Sequence, residues 1–299
     1  MSDFILSCCS TADLDAETVK KYDLHSVCFH YYVNDVPYED DFGASVSYPV
    51  FYQLMRDGAE MRTSQVNQEE FEAHFEPFLR EGKDILHVCL SSGLSGVGNS
   101  AALAQAEMRR RYPKRKILIL DSLCASSGYG LLMTKLSELR AEGKTVDEVY
   151  AWGEKHKLEL NHWFFSSDLS HYIKGGRIMR AAGAISNMLH ICPVLNMDDE
   201  GHLRQQDKVR TTRKAMARLT EEMAQRAKNG LNYAEKCFIS HSDCLEEAMN
   251  VKRLIEEQFA ALKGKVQLFN VGTVIGSHTG PGTVALFFWG GAPTRSTGA

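Results

Sequence analysis

None of the eight cysteines in this 299-residue chain pair up as C-x-x-C. That removes the redox dithiol motif. Most of the eight lie inside apolar, strand-like runs, which suits buried reduced thiols and a reducing compartment. No apolar run approaches the length that spans a bilayer. The opening Met-Ser-Asp-Phe-Ile-Leu lacks a cationic start and a long apolar stretch, so a cytoplasmic location is expected rather than a signal peptide. Positive charge is not in excess: 34 Lys and Arg face 38 Asp and Glu, which argues against nucleic acid as a partner. The densest basic run, Arg109 to Arg111 with Lys114, Arg115 and Lys116, sits at an expected helix end where cations suit the dipole. No repeat at solenoid spacing and no G-x-x-x-x-G-K-[ST] loop occurs. The histidines lack the helical i, i+4 spacing around a carboxylate that would mark a metal site, and no metal is expected.

What is present is a length suited to about two domains and a clear order of elements. Phe4-Ile-Leu6, Cys28 to Val33, Asp84 to Leu90 and Lys116 to Leu120 read as strands. Asn67-Gln-Glu-Glu70 and Thr145-Val-Asp-Glu148 have capping-box form and open helices, the first through about Glu81. Further helices are expected from about Asn99 and Ser126. Strands alternating with helices argue for a parallel sheet covered on both faces. After about residue 160 the alternation loosens. His162 to Phe165, Ile191 to Leu195, His202 to Gln206, Lys236 to Ser240, Val266 to Asn270 and Thr283 to Phe288 read as strands, with helices from Thr211 and Asp243. The expectation is an α/β chain of two domains: a parallel-sheet α/β/α domain over residues 1–158 and a mixed-sheet α/β domain over 159–289. Residues 290–299 lack apolar anchors and are expected as a mobile tail.

Chemistry concentrates at a few turns. Ser91-Ser-Gly-Leu-Ser-Gly96 joins a strand to a helix, which places hydroxyls and bare backbone N–H groups at a positive helix end suited to an anion. Thr63-Ser64-Gln65, just ahead of the Asn67 cap, is a second hydroxyl cluster; by itself it reads as turn and capping residues. Asp121-Ser122 ends a strand, where capping the next helix is the plain reading. Gly272 to Gly282 presents His278 among four glycines and a proline. A tight turn explains the glycines but not the histidine, so a ligand role is assigned to His278. Lys174-Gly-Gly-Arg177 is a surface turn exposing two cations or a phosphate-binding turn, and Arg210 a carboxylate partner or an exposed charge.

Taken together, these motifs resemble the DegV family of bacterial fatty-acid-binding proteins. The resemblance runs from Ser10-Thr-Ala-Asp-Leu14 through Thr63-Ser-Gln65, Ser92-Gly-Leu-Ser-Gly96, Asn99-Ser-Ala101, Asp121-Ser122, Tyr172 to Ile178 and Pro193-Val-Leu195 to Gly276-Ser-His-Thr-Gly-Pro-Gly282. Each motif is weak, but their order and spacing together are specific. The resemblance implies one long-chain fatty acid such as palmitate, stearate or oleate in an apolar tunnel, with its carboxylate near the domain junction. Thr63 and Ser95 would hydrogen-bond that carboxylate, helped by Ser64 and the Gly96 N–H, with His278 and Arg210 completing the network. It further implies a carrier rather than a catalyst, with no cofactor and with transient membrane contact. A separate fatty acid kinase would phosphorylate the carboxylate to an acyl phosphate for phospholipid synthesis, and Lys174 and Arg177 are candidates for docking it.

The chain departs from the family pattern at Cys9, where an aspartate is usual, at Val66, at Val97-Gly98, and at Cys192, where a lysine is usual. None of these touches the expected carboxylate contacts. The competing enzyme reading is a serine hydrolase using Ser95, His278 and Asp121. Gly93-Leu-Ser-Gly-Val97 lacks the final glycine of a G-x-S-x-G elbow, which counts against it. A sugar-phosphate or nucleotide enzyme built on the glycine turns and Lys174 is a further alternative.

Overall fold

A computed structural model describes residues 4–178, 191–291 and 295. In the first half the elements run β1 (Phe4–Cys9), α1 (Ala16–Lys21), β2 (His25–Val27), β3 (His30–Val33), β4 (Val36–Glu39), α2 (Tyr48–Arg56), β5 (Met61–Ser64), α3 (Gln68–Arg80), β6 (Asp84–Cys89), α4 (Val97–Arg111), β7 (Ile117–Asp121), α5 (Ser126–Ala141) and α6 (Val146–His156). The second half contributes β8 (Leu160–Ser166), α7 (Ser170–Lys174), β9 (Cys192–Met197), β10 (Leu203–Val209), α8 (Thr212–Arg226), β11 (Phe238–His241), α9 (Leu245–Gln258), β12 (Gln267–Asn270), α10 (Thr273–Thr279) and β13 (Thr283–Trp289).

The first sheet is parallel in the order β2-β1-β6-β7, and its two central strands, β1 and β6, are almost wholly buried, as a sheet covered on both faces requires. The second, in the order β10-β9-β8-β13-β11-β12, is mixed, with β11 and β12 its parallel pair. Both capping boxes form: Asn67 with Glu70 opens α3, and Thr145 with Glu148 opens α6. Among the described residues no helix is long and apolar enough to cross a membrane.

Two segments depart from the expected elements. Residues 30–64 do not continue the parallel alternation but fold into an antiparallel sheet, β4-β3-β5, with α2 inserted before its last strand. Its hairpin turns on Asn34 and Asp35, both in the left-handed region at φ 48° and 68°, a two-residue turn that matches strand twist. The Gly272–Gly282 stretch is not a loop: Thr273–Thr279 is helical, and His278 sits in its last turn. In the segment 290–299, Arg295 is buried and donates to the carbonyls of Leu160, Leu123 and Lys157 and to Cys124 Sγ, so a polar anchor holds this residue where no apolar one was found.

Helix α5 lies at the centre. It is buried on nearly every side, which explains why it lacks an apolar stripe. Tyr129 reaches the parallel sheet, accepting from the Cys9 N–H at 2.9 Å and donating to the Val88 carbonyl. The opposite side meets the mixed sheet, with Ser127 Oγ 2.6 Å from Ser240 Oγ and Gly128 against His162 and Phe287.

Candidate functional site

A cavity of about 460 Å³ lies among the parallel sheet, the mixed sheet, β5 and α10. That volume falls in the range of small-molecule sites. Its mouth is polar and its interior mostly apolar, with buried His162, Ser126 and Thr283 also in the lining. Ser64, Gln65, Ser95 and Gly96 line the mouth, where Gln65 and Gly96 are exposed. Phe29, Leu90, Val274, Phe164 and Phe287 line the inner part.

The mouth is assembled from elements distant in sequence. Thr63 and Ser64 come from the end of β5, which pairs with β3 and not with the parallel sheet. Ser95 and Gly96 come from the turn between β6 and α4, where Ser95 Oγ donates to Gln65 Oε1 at 3.3 Å and accepts from the Val97 N–H. His278 comes from α10, and its Nε2 is 2.8 Å from Thr63 Oγ1. Thus Thr63, Ser64, Ser95, Gly96 and His278 all border one cavity.

His278 is kept neutral. Burial, and then the Arg177 charge, push it down to about 4. Its Nδ1 is buried without a partner and lies against Gly175. Placing the proton on Nε2 leaves no buried N–H unpaired, because Nε2–H then donates to Thr63 Oγ1. The hydroxyl hydrogen of Thr63 is thereby free to turn towards the cavity.

Arg177 and Arg210 exchange their expected places. Arg177 lines the cavity, donating to the Gly175 carbonyl at 2.5 Å, and has no acidic partner among the described residues. Burial lowers its pKa. Arg210 is exposed just beyond β10 and does not line the cavity. Lys174 is exposed at the end of α7.

A hydrolytic triad is not assembled. His278 bonds Thr63, Ser95 bonds Gln65, and Asp121 Oδ1 accepts the backbone N–H groups of Ser92 and Leu123, the capping role of a strand-end aspartate. Without a base on Ser95 and an orienting acid on His278, nucleophile activation has no geometric basis.

Further residues support the site, and one of them, Asp40, carries no local sequence signal. Asp40, buried beyond β4, accepts from the Thr273 N–H at 3.2 Å and from Thr273 Oγ1 at 2.6 Å. It thereby supplies the cap that Gly272 lacks and fixes the helix bearing His278. Asp13 accepts from Ser126 Oγ at 2.5 Å, and Ser126 lines the cavity. Both carboxyls are raised, chiefly by burial, and Asp13 also by the Asp40 charge. On the other wall, Tyr172 Oη lies 2.9 Å from Thr283 Oγ1. The turn between β9 and β10 closes on the Ser91 turn, where Ser91 Oγ donates to the Gly201 carbonyl at 2.8 Å.

Known proteins share this architecture. The profile of the DegV family, a family of uncharacterised proteins, matches residues 9–290. A DegV domain-containing protein of Clostridium perfringens is 35% identical over 290 residues, covering 97% of this chain and 98% of its own. A solved DegV lipid-binding protein from Thermotoga maritima superposes with a TM-score of 0.83 at 25% identity, over 99% of this chain and 100% of its own. A DegV-family structure from Ruminococcus gnavus containing vaccenic acid has a TM-score of 0.84 at 23% identity, over 95% of this chain and 99% of its own.

Proposed function

The chain belongs to the DegV family, and from that premise we propose that it binds one long-chain fatty acid, head outward, in the cavity between its sheets. The supporting observation is the composition of that cavity: neutral donors, with Arg177 close to His278, on one side, and mostly apolar side chains on the rest. Such a site suits an amphiphile with an anionic head. A sixteen-carbon tail would gain roughly 0.8 kcal/mol per buried CH₂, on the order of 10 kcal/mol before association costs. The head then needs only orientation and an offset for its desolvation. Thr63, Ser64, Ser95 and the Gly96 N–H supply hydrogen bonds, and the Arg177 guanidinium supplies charge. This reading replaces Arg210 with Arg177 as the cation beside the carboxylate.

In the same reading the protein is a cytoplasmic carrier. Residues 1–158 carry most of the headgroup turns, while 159–289 enclose the chain and add His278 and Arg177. The carboxylate at an open mouth is accessible to a separate fatty acid kinase, which would transfer phosphate from ATP to give an acyl phosphate. Exposed Lys174 beside that mouth is the candidate docking cation. None of the carrier's own residues needs to act as nucleophile or base.

Protein purified from bacteria should release a fatty acid under denaturing mass spectrometry, and the Thr63→Ala/Ser95→Ala double variant should lose most of it. A folded wild-type protein that carries no lipid and takes up neither palmitate nor oleate would overturn the proposal. Lys174→Glu should keep the lipid yet slow its ATP-dependent conversion by the kinase. Unchanged conversion would remove Lys174 from the docking surface.

A further inference from the structure

The inner end of the cavity contains a close approach that backbone conformation does not explain. Gly128 lies in α5 with ordinary helical geometry, so any residue could adopt its φ. A Cβ there would nevertheless lie 2.5 Å from His162 Nε2 and inside contact distance of the Phe287 ring. The glycine is needed because those two side chains press against the helix.

His162 and Phe287 face each other across β8 and β13, their rings 5.2 Å apart and edge-on at 82°. Both are 2% exposed and both line the cavity. Thr283, at the start of β13, is tied through Tyr172 to α7, whose following turn seats His278. From Thr283 the cavity face continues through Ala285 to Phe287, alternate residues of one strand about 13 Å end to end. His162 is fixed in place: Nδ1–H donates to the Leu160 carbonyl at 3.2 Å, and Nε2 accepts from the Ala125 N–H at 3.4 Å. A ring held at both nitrogens cannot swing aside to admit a longer ligand.

We propose that Gly128, His162 and Phe287 form the end stop that sets which acyl-chain lengths this protein accepts, an inference that rests on the fatty-acid reading above. A side chain at residue 128 would bear on both rings and, with His162 held at its two nitrogens, drive the Phe287 ring into the cavity, whereas a smaller side chain at 287 would deepen it. Delipidated protein offered an equimolar mixture of myristate, palmitate and stearate, and read by mass spectrometry, tests this. Gly128→Ala should shift the bound ratio at least 5-fold towards myristate, and Phe287→Leu should shift it towards stearate. Unchanged ratios in folded variants that still load would overturn the end stop and leave the carrier reading intact. Wild-type protein that takes up none of the three would overturn both. Should Gly128→Ala not fold, the direction of the Phe287→Leu shift decides the matter.

Discussion

His278 differs from a surface histidine because burial and the nearby Arg177 oppose its protonation. Its pKa of about 4 in the folded protein, against about 6.5 unfolded, fixes the sign of a pH effect. The unfolded chain binds the proton first, so the contribution of this residue to stability is complete above pH 6.5. It is lost as pH falls from there towards 4. For lipid-free protein, His278→Gln should flatten the slope of unfolding free energy in that window by up to about 1.4 kcal/mol per pH unit. Denaturant melts at a series of pH values would show it, and an unaltered slope would mean that His278 titrates normally. Gly175 tests the same side chain from its other side. It has ordinary backbone geometry, but a methyl group there would collide with His278 Nδ1. Gly175→Ala should break the Thr63–His278 bond and weaken fatty-acid binding about 10-fold, roughly 1.4 kcal/mol, measurable by displacement of a fluorescent fatty acid. The histidine was noticeable in the sequence because packing gave no reason for it among glycines. The role of Gly175 was not, since a glycine in a Gly-Gly turn normally serves the turn.

At the level of elements, α10 depends on a cap supplied from another part of the chain. Asp40→Ala should destabilise the protein by about 1–2 kcal/mol, the usual cost of a lost helix cap. Asp40→Asn keeps an acceptor for Thr273 and removes the charge facing Asp13, so it should retain wild-type stability at pH 7. Thermal melts of the two variants separate hydrogen bond from charge, and equal losses would show that the carboxylate itself is required. The capping boxes of α3 and α6 were readable because cap and helix are contiguous. The cap of α10 was not, because Asp40 and Thr273 stand 233 residues apart. The β3–β4 hairpin carried a local signal, the Asn34-Asp35 pair between apolar strands. It was obscured by its setting in a half that otherwise alternates strand and helix.

For the whole molecule, the turn of β9–β10 meets the Ser91 turn at a seam beside the cavity. Gly201 has φ 76°, and a Cβ there would strike Ser91 Oγ, so backbone conformation and space both demand glycine. Gly201→Ala should open the seam and speed release of bound fatty acid to acceptor vesicles several-fold; an unchanged transfer rate would show that the lipid does not leave past this hairpin. The sequence by itself determined most of the sheet-and-helix order, the turn at Ser91 to Gly96 that leads into α4 and, through motif order, the family. Those signals are local: apolar periodicity, caps and glycine turns lie within a few residues of one another. Only the tertiary structure decided that β5 joins an antiparallel sheet, that Arg177 and not Arg210 borders the cavity, and that α5 is shared by two sheets. Each of these depends on which distant surfaces bury one another, and no short stretch of sequence contains both partners.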